Sequence, residues 1–152
     1  KKIRMNKNLE RYFKNKYFLP DLNLKLIKKL SLFANTSIDI SDGLIADLEK
    51  LINKQNFSYK IYLKNIPISK NLKKLLTLKK YKKKSLVSNG DDYQVIFTAN
   101  PSKSRIISKT SEYLGIKISK IGKICSKSLE SLIIDENGNK TAFKSKGYYH
   151  RF

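Results

Sequence analysis

Across 152 residues the chain holds one cysteine, Cys125, one histidine, His150, and no tryptophan. A single thiol excludes an internal disulfide and any zinc site built on paired cysteines. With one imidazole available, a resident metal ion would have to be held by carboxylates. Those are scarce too: Asp and Glu together number 12. No apolar run approaches the roughly 18 residues a membrane span needs, so no membrane partner is expected. The start lacks the apolar segment of a signal peptide, and a cytoplasmic location is expected. Residue 1 is lysine and the only methionine is Met5, so the chain reads as a piece of a longer protein. What remains is an ordinary domain-sized chain, 40% hydrophobic and 11% aromatic, with enough apolar material for a core.

The positive charge is abundant. Lys and Arg number 33, giving a formal net charge of +21. Such a balance suits nucleic acid, whose phosphates reward counterion release. The composition argues otherwise. Lysine occurs 29 times and arginine 4 times, isoleucine 18 times and alanine 4 times. Residues with A/T-rich codons dominate, as a genome-wide drift over solvated faces would produce. Base and phosphate readers favour the planar, bidentate arginine. A basic nucleic-acid-binding module stays as the non-enzyme alternative, but no specific nucleic-acid partner is expected.

Residues 1–20 read as a tether or the end of a preceding linker, with Pro20-Asp21 as a break. Leu22, Leu26, Ile27 and Leu30 predict an amphipathic helix over 21–33. Thr36 to Ser41 alternates as a strand, and Leu44, Ile45, Leu48, Leu51 and Ile52 mark one face of a helix to about 54. Tyr59, Ile61 and Leu63 predict a strand with one wet face. Pro67 opens a lysine-rich helical stretch, and Ser88-Asn89-Gly90 signals a turn. Tyr93 to Thr98 reads as a strand, and Pro101 to Gly115 bounds a helix. Ile116, Ile118, Ile121 and Ile124 suggest one strand or two short ones. Leu132–Ile134 and Thr141–Phe143, around Asn137-Gly138, predict a hairpin. Helices alternating with strands imply a layered α/β (α+β) domain around one mixed central sheet, spanning residues 21–152.

In an acid-poor chain the grouping of the acids is informative. Asp39, Asp42, Asp47 and Glu49 cluster, and Asp91 and Asp92 are adjacent. In the predicted strand Ile38 and Ile40 face the core and Asp39 faces away. Ser41 and Asp42 then fall at a strand-to-helix turn. A strand-end carboxylate beside a helix N-terminus suits Mg²⁺ held against phosphate oxygens. Each residue also has a purely structural use. Ser41 or Asp42 would serve as an N-cap, and Asp47 would complement the helix dipole. Asp39 is the least explained by structure alone, because aspartate is disfavoured in strands. Cys125 reads as a small core residue rather than a nucleophile.

Taken together, T-S-I-D-I-S-D-G-L-I-A-D-L (36–48) and S-N-G-D-D-Y-Q-V-I-F-T (88–98) resemble the carboxy-terminal half of the bacterial thiamine-monophosphate kinase family. Ile121-Gly122-Lys123-Ile124 and Gly147-Tyr148-Tyr149-His150 match two further segments of that family in order and spacing. The resemblance implies the mixed sheet and flanking helices of the aminoimidazole ribonucleotide synthetase carboxy-terminal domain. It implies that Asp39 and Asp42 are magnesium ligands, that Ser41 contacts ATP, that Asp91 contacts thiamine phosphate and that Tyr148 packs on its heterocycle. ATP would be the phosphoryl donor and thiamine monophosphate the acceptor. The family's amino-terminal ATP-binding domain is absent from these residues, and the full-length protein is expected to be a homodimer. Three positions depart from the pattern. Asp91 stands where the family has glutamate, Gln94 replaces a second glutamate, and Arg151 is inserted before Phe152. Aminoimidazole ribonucleotide and selenophosphate synthetases, from the same superfamily, are the enzymatic alternative.

Overall fold

The computed structural model describes residues 5–52, 55–79, 83–87, 90, 92–126 and 129–142. Helix α1 (Lys7–Phe18) is capped by Asn6, whose side chain accepts from the Leu9 N–H at 2.9 Å. It buries none of its residues. The predicted helix over 21–33 is broken: a single turn, α2 (Leu24–Ile27), is followed by a 3₁₀ turn at Leu30–Leu32. Neither piece has a side-chain cap, and only Leu26, Leu30 and Phe33 of this stretch reach the core. Uncapped and too short to propagate, the stretch follows its three anchors rather than its periodicity.

Strand β1 (Ala34–Asp39) leads through a turn into α3 (Leu44–Ile52). Strand β2 (Phe57–Tyr62) follows, then α4 (Lys70–Lys79), where Ser69 caps by accepting from the Leu72 N–H. A short α5 (Lys84–Val87) precedes β3 (Val95–Ala99). Helix α6 (Ser104–Leu114) begins behind a 3₁₀ turn at Pro101 and ends on Gly115, whose φ of 62° closes it in the left-handed conformation. The isoleucine-rich stretch after it forms one strand, β4 (Gly122–Ser126), and β5 (Leu132–Ile134) pairs antiparallel with β6 (Lys140–Thr141) as the predicted hairpin. Phe143 and the aromatic tail lie outside the described residues.

The α/β class stands, with a mixed sheet of order β4-β2-β5-β6 in which β2 and β5 run parallel and the other pairs antiparallel. Strands β1 and β3 do not join it. They form their own antiparallel pair, with Asp39 opposite Val95. Period-two alternation divides that pair between two apolar clusters. Ile38, Ile40 and Ile96 pack with Leu44, Ile45, Leu48, Tyr59, Ile61 and Leu63 beneath the four-stranded sheet. Val95 and Phe97 face Leu26, Leu30, Phe33 and the apolar face of α6. The strand pair is therefore clamped on both faces, and its Asp39 end is held in position by packing.

The β5–β6 turn is organised by Asp135. Its Oδ1 accepts from the Asn137 and Asn139 N–H groups at 2.9 and 2.8 Å. The Asn139 N–H leads in holding this carboxyl below the usual aspartate range. A depressed carboxylate supports the folded turn above the ordinary aspartate pKa of about 3.9, and that support is lost as pH falls through the depressed value. The Asn137 and Asn139 amide protons should therefore move upfield together in NMR spectra at acid pH, and stay still in Asp135→Asn. Amide shifts indifferent to pH in the wild type would exclude this role.

Candidate functional site

The acid-rich segment folds as a strand, a tight turn and a helix. Ile40 is buried at the end of β1, and Asp39, on the opposite face of the strand, is exposed. Beyond the strand the pairing continues: Ile40 donates to the Gln94 carbonyl at 2.8 Å and accepts from the Tyr93 N–H at 3.1 Å. The N-cap of α3 is neither Ser41 nor Asp42. Gly43 takes that place, with φ of 117° and its carbonyl accepting from the Asp47 N–H at 3.0 Å. Positive φ there is natural for glycine and strained for other residues.

Asp47 does more than complement the helix dipole. Its side chain is fully buried, and its Oδ2 accepts from both the Ser41 and Asp42 N–H groups at 2.9 Å. Its Oδ1 accepts from Lys50 Nζ at 2.7 Å. Burial pushes the carboxyl up, but the Lys50 ammonium and the Asp42 and Ser41 amides outweigh it and hold the group below the usual carboxylate range. The buried carboxylate thus ties the turn down from beneath. A sequence signal for this exists: Asp47 lies on the same helical face as Leu44, Leu48 and Leu51, where a charge is out of place unless paired.

The other acids divide cleanly. Glu49 accepts from the Tyr59 hydroxyl at 2.9 Å, and burial first, then Glu49, pushes that phenol up. Asp42, 22% exposed at its side chain, pairs with Lys50. Asp39 has no side-chain hydrogen bond or ion pair to another described residue. Among the described residues no three His, Cys, Asp or Glu side chains gather to hold a metal. Mg²⁺ takes one or two carboxylates and fills its octahedron with water and phosphate oxygens, so the Asp39 and Asp42 side chains are of the chemical kind it uses.

The second acid-bearing segment is brought to the same turn. Gly90 approaches it so closely that a Cβ there would stand 2.1 Å from the Ser41 carbonyl oxygen. Any side chain at 90 would displace the turn. Tyr93, next along, adopts φ of 50°, a left-handed conformation costly for a bulky residue, and its ring is exposed. Neither feature is legible from residue type or spacing. Asp91 and Tyr148 lie outside the described residues.

No family model matches the chain. It is 34% identical over 148 residues to the thiamine-monophosphate kinase of Buchnera aphidicola from Acyrthosiphon pisum, an alignment covering 95% of this chain and 44% of the relative. It is 33% identical over 86 residues to the thiamine-monophosphate kinase of Aquifex aeolicus, covering 55% of this chain and 28% of that one. Its fold matches the crystal structure of thiamine-monophosphate kinase from Stenotrophomonas maltophilia, with TM-score 0.74 and 24% identity over 91% of this chain and 42% of the other. It also matches AaThiL complexed with AMPPCP and TMP, with TM-score 0.71 and 22% identity over 98% of this chain and 44% of that one. The chain spans less than half the length of these relatives.

If Asp47 secures the turn, Asp47→Asn should lose about 2–4 kcal/mol of stability, the scale for breaking buried hydrogen bonds to a charge. Asp42→Asn, at the more exposed of the two carboxylates that Lys50 meets, should lose no more than about 1 kcal/mol. Urea unfolding of both variants tests the contrast, and equal losses would contradict it.

Proposed function

We propose that this chain, homologous to the thiamine-monophosphate kinases in sequence and alike in fold, is the carboxy-terminal half of such an enzyme. The full-length protein then carries out ATP- and Mg²⁺-dependent transfer of the γ-phosphoryl group to thiamine monophosphate, giving thiamine diphosphate and ADP. The observation that carries this reading is the exposed Asp39 carboxylate at the end of β1, without a hydrogen-bond or charge partner among the described residues, beside a turn pinned by Asp47. In-line phosphoryl transfer needs positioning and charge neutralisation rather than a covalent nucleophile. The acid-poor, histidine-poor composition is compatible with that need.

In this reading Asp39 and Asp42 would hold Mg²⁺, and the ion when bound would offset charge on the phosphates. Ser41, exposed on the turn, contacts ATP. Its backbone is braced twice, by Asp47 below and by Gly90 alongside, so whatever it contacts meets a preorganised surface. Asp91 contacts the thiamine phosphate and Tyr148 packs on the heterocycle. The AMPPCP and TMP bound by the structural neighbour AaThiL support the choice of donor and acceptor. Residues 21–152 form the domain and 1–20 lead into it. An amino-terminal half supplies the remaining nucleotide contacts, and the full-length protein is a cytoplasmic homodimer. The relatives compared above are thiamine-monophosphate kinases, which favours this reading over aminoimidazole ribonucleotide or selenophosphate synthetase chemistry.

Two outcomes follow. The 152 residues alone should form no thiamine diphosphate from ATP and thiamine monophosphate; turnover by the isolated chain would overturn the half-enzyme reading. In the full-length protein, Asp39→Asn should lower kcat by on the order of 10²-fold, the scale for removing one preorganised electrostatic group, and raise the Mg²⁺ requirement. Its melting temperature should stay near wild type, because no described partner is lost. An unchanged magnesium response would remove Asp39 from the site.

A further inference from the structure

Lys50 answers two carboxylates at once. Its Nζ bonds Asp47 Oδ1 at 2.7 Å and also pairs with Asp42 Oδ2. The two contacts differ in kind. Asp47 is sealed from solvent and cannot exchange its partner for water, so it anchors the ammonium. Asp42 keeps some exposure and sits on the turn where a ligand would arrive.

The two candidate metal ligands are therefore not equivalent. Asp39 has no charge partner among the described residues, whereas Asp42 already has a cation at its carboxylate. A divalent ion approaching Asp42 meets a fixed positive charge on the same group, and like charges at a few ångströms disfavour one another. With Lys50 the group Asp39, Asp42, Asp47 and Lys50 carries a formal charge of −2; without it, −3. A site tuned in this way holds a bare divalent ion less tightly, and gains most from the negative charge that accompanying phosphates bring.

We propose that Lys50 is a tethered counter-cation that occupies Asp42 in the absence of metal and competes with the divalent ion for it, setting the metal affinity of the Asp39–Asp42 pair. This rests on the reading of that pair as the metal-holding one. The lysine needs no large movement to yield: it keeps its bond to Asp47 and releases only Asp42.

The test is Mn²⁺ binding to the full-length protein, read from the EPR signal of free Mn²⁺ without nucleotide. Asp39→Asn serves as the reference for Mn²⁺ held elsewhere. Lys50→Met should bind Mn²⁺ at this pair about three- to tenfold more tightly than wild type, as removal of one nearby like charge predicts. Lys50→Arg, which keeps the charge, should stay close to wild type. Equal or weaker binding by Lys50→Met, with the wild type binding and Asp39→Asn impaired, overturns the competition alone. No difference between wild type and Asp39→Asn overturns the metal pair and the proposal with it. A second readout needs no substitution. The ¹³Cε resonance of Lys50 should shift as the wild type is titrated with Mg²⁺, and a resonance unmoved through saturation overturns the proposal even if Lys50→Met fails to fold.

Discussion

The carboxylate of Asp47, closed off from water beneath the β1–α3 turn, is the constraint on which the site depends. A buried charge is tolerated only when its bonds are satisfied, and here two backbone amides and one ammonium satisfy it. Meeting that demand fixes the path of the chain. Ser41 and Asp42 must turn their N–H groups toward it, which leaves the Ser41 side chain exposed and its carbonyl against Gly90. A loop that would otherwise fray is held by the cost of releasing one carboxylate.

Packing does the rest of the positioning. The β1–β3 pair is clamped between two apolar clusters, so its Asp39 end has little freedom to slide or tilt. The same pairing is prolonged by Ile40 to Gln94 and Tyr93 beside the turn. Gly90 then makes a contact that leaves no room for a side chain. Two stretches far apart in the chain thus share one rigid corner, and the strained backbone of Tyr93 is part of the cost of that closeness.

Much of this was legible in residue pattern. Alternation around Ile38, Asp39 and Ile40 placed the aspartate on the face opposite the two isoleucines. The face Leu44, Ile45, Leu48 marked α3, and Pro101 with Gly115 bounded α6 to within a 3₁₀ turn. Patterns of this kind are local and repeat with the geometry of the element, so they survive without knowledge of the fold. The stretch over 21–33 misled for the same reason. Its spacing was helical, but three anchors buried by distant partners decided its shape.

By itself the sequence determined which residues must be buried, where the chain turns and which scarce carboxylates stand near a helix N-terminus. It also carried the spelling that marks the chain's relatives. Tertiary structure alone decided the division of labour among those carboxylates: Asp47 bound inward, Glu49 tied to Tyr59, Asp42 shared with Lys50 and Asp39 exposed with no partner among the described residues. It alone separated β1 and β3 from the mixed sheet and set Gly90 against Ser41. The reason is physical. Residue type sets what a side chain can bond, but whether it does so depends on burial and on partners brought from elsewhere in the chain, and neither is a property of spacing.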